Sequence, residues 1–246
     1  MKLSDRLETI IGMIGDAKCL ADVGTDHAFV PVEAVRRGIA GRAIAADVAT
    51  GPLKIAAEHI AAAGFSDRIE TKLCDGLSGF EPGQADVCVI AGMGGELMRR
   101  ILTDGEAVAK SMKCLILSPQ SELGDFRSFL LGGGYDIDAE KCVIDDGKFY
   151  FIMSVRPGDS AQTESLGGCL RAGMYSEDEL VYGRASCFDE ASANIRRIYI
   201  KKDANSYKKI IERMEREGVD EEKILPIRKK LSLAERSLTA LEEDIL

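Results

Sequence analysis

The segment Leu20-Ala21-Asp22-Val23-Gly24-Thr25-Asp26-His27-Ala28 constrains the fold of this chain more than any other stretch. A short apolar run reaches Asp22, Gly24 allows a turn that a Cβ would hinder, and a helical pattern follows at once. A second apolar run, Ala43-Ile44-Ala45-Ala46, closes in Asp47, and a third strand, Ile69 to Leu73, precedes Asp75-Gly76. Strand, glycine turn, helix, strand, acid is how an open α/β sheet holds a nucleoside. The turn brings backbone close to the ligand, and the acid accepts hydrogen bonds from the ribose hydroxyls.

The turn is not Gly-x-Gly-x-x-Gly. Asp22, the single Gly24 and Asp26 stand in its place. That set disfavours a pyrophosphate and favours a ligand carrying a cation and an amino acid, which describes S-adenosylmethionine. Asp47 is then the ribose acceptor, with a helix-capping or loop acid as the plainer reading. Asp75 would accept from the adenine amino group, with Gly76 permitting close approach; a plain turn is the alternative. Asp22 would orient the turn or hold the cofactor's amino group.

The rest of the chain is read by its hydrophobic period. Leu3, Leu7, Ile10, Ile11 and Ile14 predict an opening amphipathic helix. Strands are expected at Cys19–Val23, Arg42–Asp47, Ile69–Leu73, Val87–Ala91 and Lys113–Leu117. Helices are expected at Val30–Arg37, Lys54–Ala63, Leu97–Leu102 and Gly124–Leu131. Asp145-Asp146-Gly147, flanked by Tyr135–Val143 and Phe149–Val155, signals a hairpin. Five βα units and a terminal hairpin predict a mostly parallel seven-stranded sheet of the Rossmann-like class I methyltransferase type. Arg156-Pro157-Gly158-Asp159-Ser160 looks like a linker, dividing a domain at 1–158 from one at 159–246. In the second part Ile227, Leu231, Ala234, Leu238, Leu241 and Ile245 step as an a/d seam. With an earlier helix carrying Ile195, Ile198, Tyr199, Tyr207, Ile210, Ile211 and Met214, and Gly218-Val219-Asp220 between, this predicts an antiparallel α-helical coiled-coil hairpin.

Composition sets the outer bounds. The chain carries a net charge of −9, so nucleic-acid contact must come from a local basic face. Seven cysteines lie scattered, none as Cys-x-x-Cys, beside only two histidines, so no zinc site is expected. Unpaired thiols, the absence of an apolar signal core after Met1 and the lack of any run of transmembrane length fit a cytoplasmic protein. Monomer and dimer both stay open.

Ile90-Ala91-Gly92-Met93-Gly94-Gly95 follows the fourth strand at the edge of the crevice. The Asn/Asp-Pro-Pro-Tyr/Phe loop of many adenine amino methyltransferases is absent. A Gly-rich loop offers room for a flat base and Met93 an apolar surface; the plainer reading is a strand-to-helix turn. Ser118-Pro119-Gln120, after the fifth strand, faces the same crevice, and Gln120 could read a base edge or simply lie in a loop. Asp26 and His27 suggest an acid/base pair, although a lone turn histidine is more often structural. Arg196, Arg197, Lys201, Lys202, Lys208 and Lys209, interleaved with Tyr199 and Tyr207, form either a phosphate-contacting face or an ordinary solvated helix surface.

Taken together, Asp22-Val23-Gly24-Thr25-Asp26-His27-Ala28, Gly51-Pro52, Asp75-Gly76-Leu77, Ile90-Ala91-Gly92-Met93-Gly94-Gly95 and Asp145-Asp146-Gly147-Lys148-Phe149-Tyr150 resemble the bacterial TrmK-type tRNA (adenine-N1)-methyltransferases. The resemblance implies S-adenosylmethionine as donor, adenine 22 of tRNA as acceptor and a C-terminal coiled coil that helps hold tRNA. It also implies that Asp22, Gly24, Asp26, His27, Asp47 and Asp75 line the cofactor site; Gly76 and Ala91 are expected there beside them. Gly92, Met93 and Gly94 would border the target base as the catalytic loop. Where family members often carry Gln-Pro-Asn, this chain has Ser118-Pro119-Gln120. The competing readings are a small-molecule methyltransferase and a non-catalytic RNA-binding protein of the same fold.

Overall fold

The computed structural model describes residues 3–158 and 175–243. Ser4 accepts from the Leu7 N–H and starts α1 (Asp5–Met13), which buries Ile10 and Ile11. There follow β1 (Ala17–Val23), α2 (Phe29–Arg36), β2 (Ala40–Asp47), α3 (Thr50–Ala63), β3 (Ile69–Leu73) and β4 (Val87–Ala91). The first part continues with α4 (Gly95–Asp104), α5 (Glu106–Ser111), β5 (Cys114–Ser118), α6 (Leu123–Gly132), β6 (Tyr135–Asp145) and β7 (Lys148–Pro157).

The seven strands form one sheet in the order β3-β2-β1-β4-β5-β7-β6. β1 to β5 pair in parallel, and β7 runs antiparallel between β5 and β6. The chain winds outward from β1 to β3, then returns to the other side of β1 for β4. That reversal opens a crevice at the carboxyl ends of β1 and β4, where open α/β sheets bind ligands.

Period-two alternation fills both faces of the sheet. Cys88 and Ile90 of β4 and Leu115 and Leu117 of β5 pack with Met98, Leu102, Phe126 and Leu130 of α4 and α6. Val87, Val89 and Ile116 face the other way, against Ile10, Ile11, Val32, Val35, Ala56 and Ile60 of α1, α2 and α3. These strands are apolar without interruption because neither face meets water.

Every expected strand is present, with small shifts at the ends. α3 starts at Thr50, so Pro52 sits in its first turn, where the missing N–H costs nothing. The six-residue α5 was not expected; it is too short to show a period. The expected linker is strand as far as Pro157, while Asp159 and Ser160, like Cys169 and Ile245, lie outside the described residues.

Beyond residue 174, α7 (Glu177–Tyr182) opens on a capping box of Ser176 and Glu179. α8 (Glu190–Arg216) and α9 (Glu221–Glu243) then form the expected antiparallel pair. Arg197 donates to the Leu241 carbonyl, Lys208 pairs with Glu235, and Arg228 with Glu215, a ladder that only an antiparallel hairpin allows. Leu231, Ala234, Leu238 and Leu241 of the predicted seam pack with Tyr182, Ile200 and Ala204.

Candidate active site at the β1–β4 crevice

β1 delivers Asp22 to the crevice floor, 7% exposed. The Thr25 hydroxyl donates to Asp22 Oδ2 at 2.6 Å. Burial pushes the Asp22 carboxyl up to about 6, the Thr25 bond opposes this, and the negative charges of Asp26 and Asp47 add to it. The Gly24 and Thr25 N–H groups both donate to the Ala46 carbonyl, at 2.8 and 2.9 Å. They are therefore spent on joining the β1 turn to the end of β2, and the turn meets a ligand with its bare surface and side chains. Gly24 has φ +75°, and a Cβ there would fall 2.1 Å from Met93 Cε, so the missing side chain lets the β4 loop close over the turn.

Asp47 ends β2, next to that shared carbonyl. Its Oδ1 accepts from the Ala49 N–H at 2.8 Å, and Oδ2 has no hydrogen-bond partner among the described residues. The loop-acid reading and the ribose reading are thus compatible, one oxygen each. Asp75 is exposed and lies 3.5 Å from Arg100. Gly76 is buried at φ +59° beside Ile101. Val48, which follows Asp47, and Leu73, the last residue of β3, are 68% and 58% exposed. The sequence reading passed over both, because single apolar residues at strand ends carry no pattern.

Asp26 and His27 contact each other, with His27 Nε2 at 3.1 Å from Asp26 Oδ1. Asp26 is 86% exposed and sits at the mouth. His27 and Ala28 take left-handed backbone, and the His27 carbonyl contacts His59 Nδ1 while its ring stacks on Phe29. The histidine is thus built into the turn that starts α2.

The two loops on the far side of the crevice are tied together. Gln120 N–H donates to the Met93 carbonyl at 2.9 Å. The Gly95 N–H at the start of α4 donates to Glu122, and a Cβ on Gly95 would fall 2.7 Å from the Ser121 carbonyl. Ala91, Met93 and Gly94 are half-buried and Gly92 is exposed. Of the Ser118-Pro119-Gln120 segment, Ser118 and Pro119 are buried and only Gln120 reaches the crevice surface.

A partly open pocket of about 70 Å³ is lined by Asp22, Gly24, Asp26, Phe29, Val30, Val89 and Ala91, with Arg6 and Leu7 from α1. Arg6 was absent from the sequence reading, since it stands in a helix whose polar residues signal only solvent. A larger cavity, about 970 Å³, lies at the opposite end of the sheet beside Lys113 and Pro157, away from these carboxylates.

One sequence expectation is overturned. Arg196 is not on a phosphate-contacting face: it is 2% exposed. Its guanidinium donates to the carbonyls of Tyr182 and Gly183 and to Ser237. Arg197 is half-buried against α9. Lys201 and Lys202 are exposed, and Lys202 lies 5.2 Å from the Phe149 ring. A helix repeats its faces every three to four residues, so a run of basic residues along one cannot all share a surface.

The family described as "Methyltransferase domain" matches residues 3–153. The chain is 35% identical over 159 residues to the tRNA (adenine(22)-N(1))-methyltransferase of Bacillus subtilis strain 168, covering 65% of this chain and 67% of that one. The crystal structure of the B. subtilis tRNA methyltransferase TrmK superposes with a TM-score of 0.75 at 26% identity over 98% of both chains. Streptococcus pneumoniae Sp1610 in complex with S-adenosyl-L-methionine does so with a TM-score of 0.80 at 28% identity, over 96% of this chain and 100% of that chain. With that domain matched and that relative so similar, the chain belongs to the family of the bacterial tRNA (adenine(22)-N(1))-methyltransferases.

Proposed function

We propose that this protein methylates N1 of adenine 22 in tRNA, in the cytoplasm, with S-adenosylmethionine as donor. The observation that carries the reading is the meeting of Asp22, the Gly24 turn and Asp47 at the strand-order reversal, in a chain of this family. The residues present fit the donor. The cavity of about 70 Å³ matches its amino-acid end, Asp47 Oδ2 stands open to the ribose hydroxyls, and Val48 and Leu73 offer apolar surface to the adenine.

When bound, the donor supplies a methyl group on a sulfonium sulfur, and adenine N1 has an in-plane lone pair that can accept it. The protein's part is alignment more than proton transfer. Asp22 holds the donor's ammonium, Asp47 its ribose. Gly92, Met93 and Gly94, fastened to Gln120, border the space where the target base enters, flipped out of its stack. The side chain of Gln120 presents an amide to the base edge. Lys201 and Lys202 contact tRNA phosphates. In this scheme residues 1–158 form the catalytic domain and 159–246 the helical domain that holds the tRNA body.

The test is transfer of a labelled methyl group from S-adenosylmethionine to unmodified tRNA, with mass spectrometry of the product nucleosides. The expected product is 1-methyladenosine at position 22. Asp47→Ala should weaken donor binding about tenfold or more, because a charge-assisted hydrogen bond is lost. Donor binding without tRNA labelling would assign the site to another acceptor and favour the small-molecule reading.

A further inference from the structure

Asp22, Asp26, Asp47 and Asp75 stand at the ends of β1, β2 and β3 or just after them, on the side of the crevice that the proposed function gives to the donor. A further carboxylate, Glu122, stands on the other side, in the loop between β5 and α6. Its backbone is left-handed, with φ +51°, an uncommon state for a residue that has a Cβ. Although it directly precedes α6, its side chain does not cap that helix. The carboxylate turns instead to the β4 loop. Oε2 accepts from the Gly95 N–H at 3.2 Å and from the Ser121 hydroxyl. A Cβ on Gly94 would fall 2.9 Å from Ser121 Oγ and 3.7 Å from Glu122 Oε2, so the bare backbone of that loop lets the carboxylate lie against it. Oε1 has no hydrogen-bond partner among the described residues. Gln120 lies along the same loop, its Nε2 4.0 Å from where a Cβ on Gly92 would be. Backbone strain of this kind gathers at ligand-binding sites, where the surrounding structure holds it in place.

Methyl transfer to adenine moves a charge. The N1 lone pair forms the C–N bond as the C–S bond breaks, and the C–S electron pair stays on sulfur. The positive charge thus passes from the sulfonium to the purine, where the 6-amino group beside N1 carries much of it. No proton has to leave for this step to balance. A negatively charged acceptor placed at that amino group binds the transition state more strongly than the ground state. We propose that Glu122 is this acceptor: Oε2 stays fastened to the β4 loop, and Oε1 takes a hydrogen bond from the 6-amino group of the target adenine. The same contact selects the base. A 6-oxo purine such as guanine would bring its own acceptor against the carboxylate and be repelled. Glu122 is then a catalytic residue, held in place through Gly95 and Ser121. This rests on adenine being the methyl acceptor, as proposed above.

The test is single-turnover methylation of two tRNAs by the full-length protein. One carries adenine at position 22, and the other carries unsubstituted purine there, which keeps N1 but lacks the 6-amino group. The wild type should be slower on the second. Glu122→Gln should slow transfer to the adenine tRNA about ten- to a hundredfold, because it removes the charge while its amide oxygen can still accept from Gly95. The same change should alter transfer to the purine tRNA by no more than about threefold, since no amino group is there to lose its partner. Affinity for S-adenosylhomocysteine should stay within about twofold, as neither Glu122 nor its loop lines the donor's pocket. Equal slowing on both tRNAs would overturn the proposal and leave Glu122 as a fastener of the β4 loop. An unchanged rate on the adenine tRNA would overturn it as well. Wild-type protein that methylated neither tRNA would overturn the adenine reading and this inference with it, a result distinct from the other two.

Discussion

Asp22 joins two requirements that conflict. A carboxylate proposed to hold an ammonium should be ionised, yet burial raises the pKa of this one to about 6. The sign of the consequence follows directly. The folded value lies above the ordinary value of 3.8. The stability this group allows is therefore complete below that ordinary value and is lost as pH rises through about 6, by up to about 3 kcal/mol. Asp22→Asn, which can still accept from Thr25, should be more stable than wild type at pH 7, with the difference shrinking toward pH 4 in urea unfolding. Ligand binding should run the other way. Affinity for S-adenosylhomocysteine should rise between pH 5 and 7 and then level off, and Asp22→Asn should flatten that rise and bind more weakly at pH 7. A wild-type affinity unchanged across the range would separate Asp22 from the ammonium. Asp22, Gly24 and Asp47 were legible because each sits where a strand pattern stops, a place that chain chemistry marks. The meeting of Arg6 and Tyr150 beside the crevice was not, because it arises from where α1 and β7 cross the sheet, and nothing local distinguishes them from other polar residues of an amphipathic helix and a hairpin.

Between the sheet and the helical hairpin, α7 acts as a wedge fixed by two buried arginines. Arg127 of α6 and Glu140 of β6 are both fully buried and paired at 2.7 Å. Arg127 also donates to the carbonyls of Leu180 and Val181, while Arg196 of α8 takes those of Tyr182 and Gly183. The unpaired carbonyls at the end of a helix, where its dipole is negative, are thus answered from two sides, and the hairpin is joined to the sheet through them. Breaking the pair would leave a buried charge alone. Arg127→Met should therefore destabilise the protein by about 3–5 kcal/mol, and Arg127→Met with Glu140→Leu should recover much of it. Unfolding by denaturant measures both; additive losses in the double variant would show that the pair is not coupled. None of this was visible in sequence. Both arginines fall in helices whose apolar period was read correctly, and a charged residue in such a helix is assigned to water unless its partner, far along the chain, is known.

At the scale of the whole molecule the problem is electrostatic: a protein of net charge −9 must take hold of a polyanion. The geometry around the β6–β7 hairpin suggests how. α8 is 27 residues long, about 40 Å at a helical rise of about 1.5 Å per residue. It passes the hairpin with Lys202 beside Phe149. The next residue along β7, Tyr150, lies against the Arg6 guanidinium beside the β1–β4 crevice. Adjacent residues of a strand point to opposite faces, so one hairpin separates an exposed lysine pair from the chemical site by the thickness of a single sheet. Lys201 and Lys202 would then fix phosphates of the tRNA body while the target nucleotide turns round the hairpin tip into the crevice. Lys201→Ala with Lys202→Ala should weaken tRNA binding without regard to sequence. The slope of log affinity against log salt should also become shallower, by about one for each phosphate that is no longer neutralised. Affinity for S-adenosylhomocysteine should not move, since neither lysine lines the crevice pocket. Filter binding of tRNA over a range of potassium chloride concentrations reads both the affinity and the slope. An unaltered slope would mean that the phosphates are met elsewhere, and because Arg196 is buried and Arg197 is turned against α9, that surface would have to lie off this face of α8.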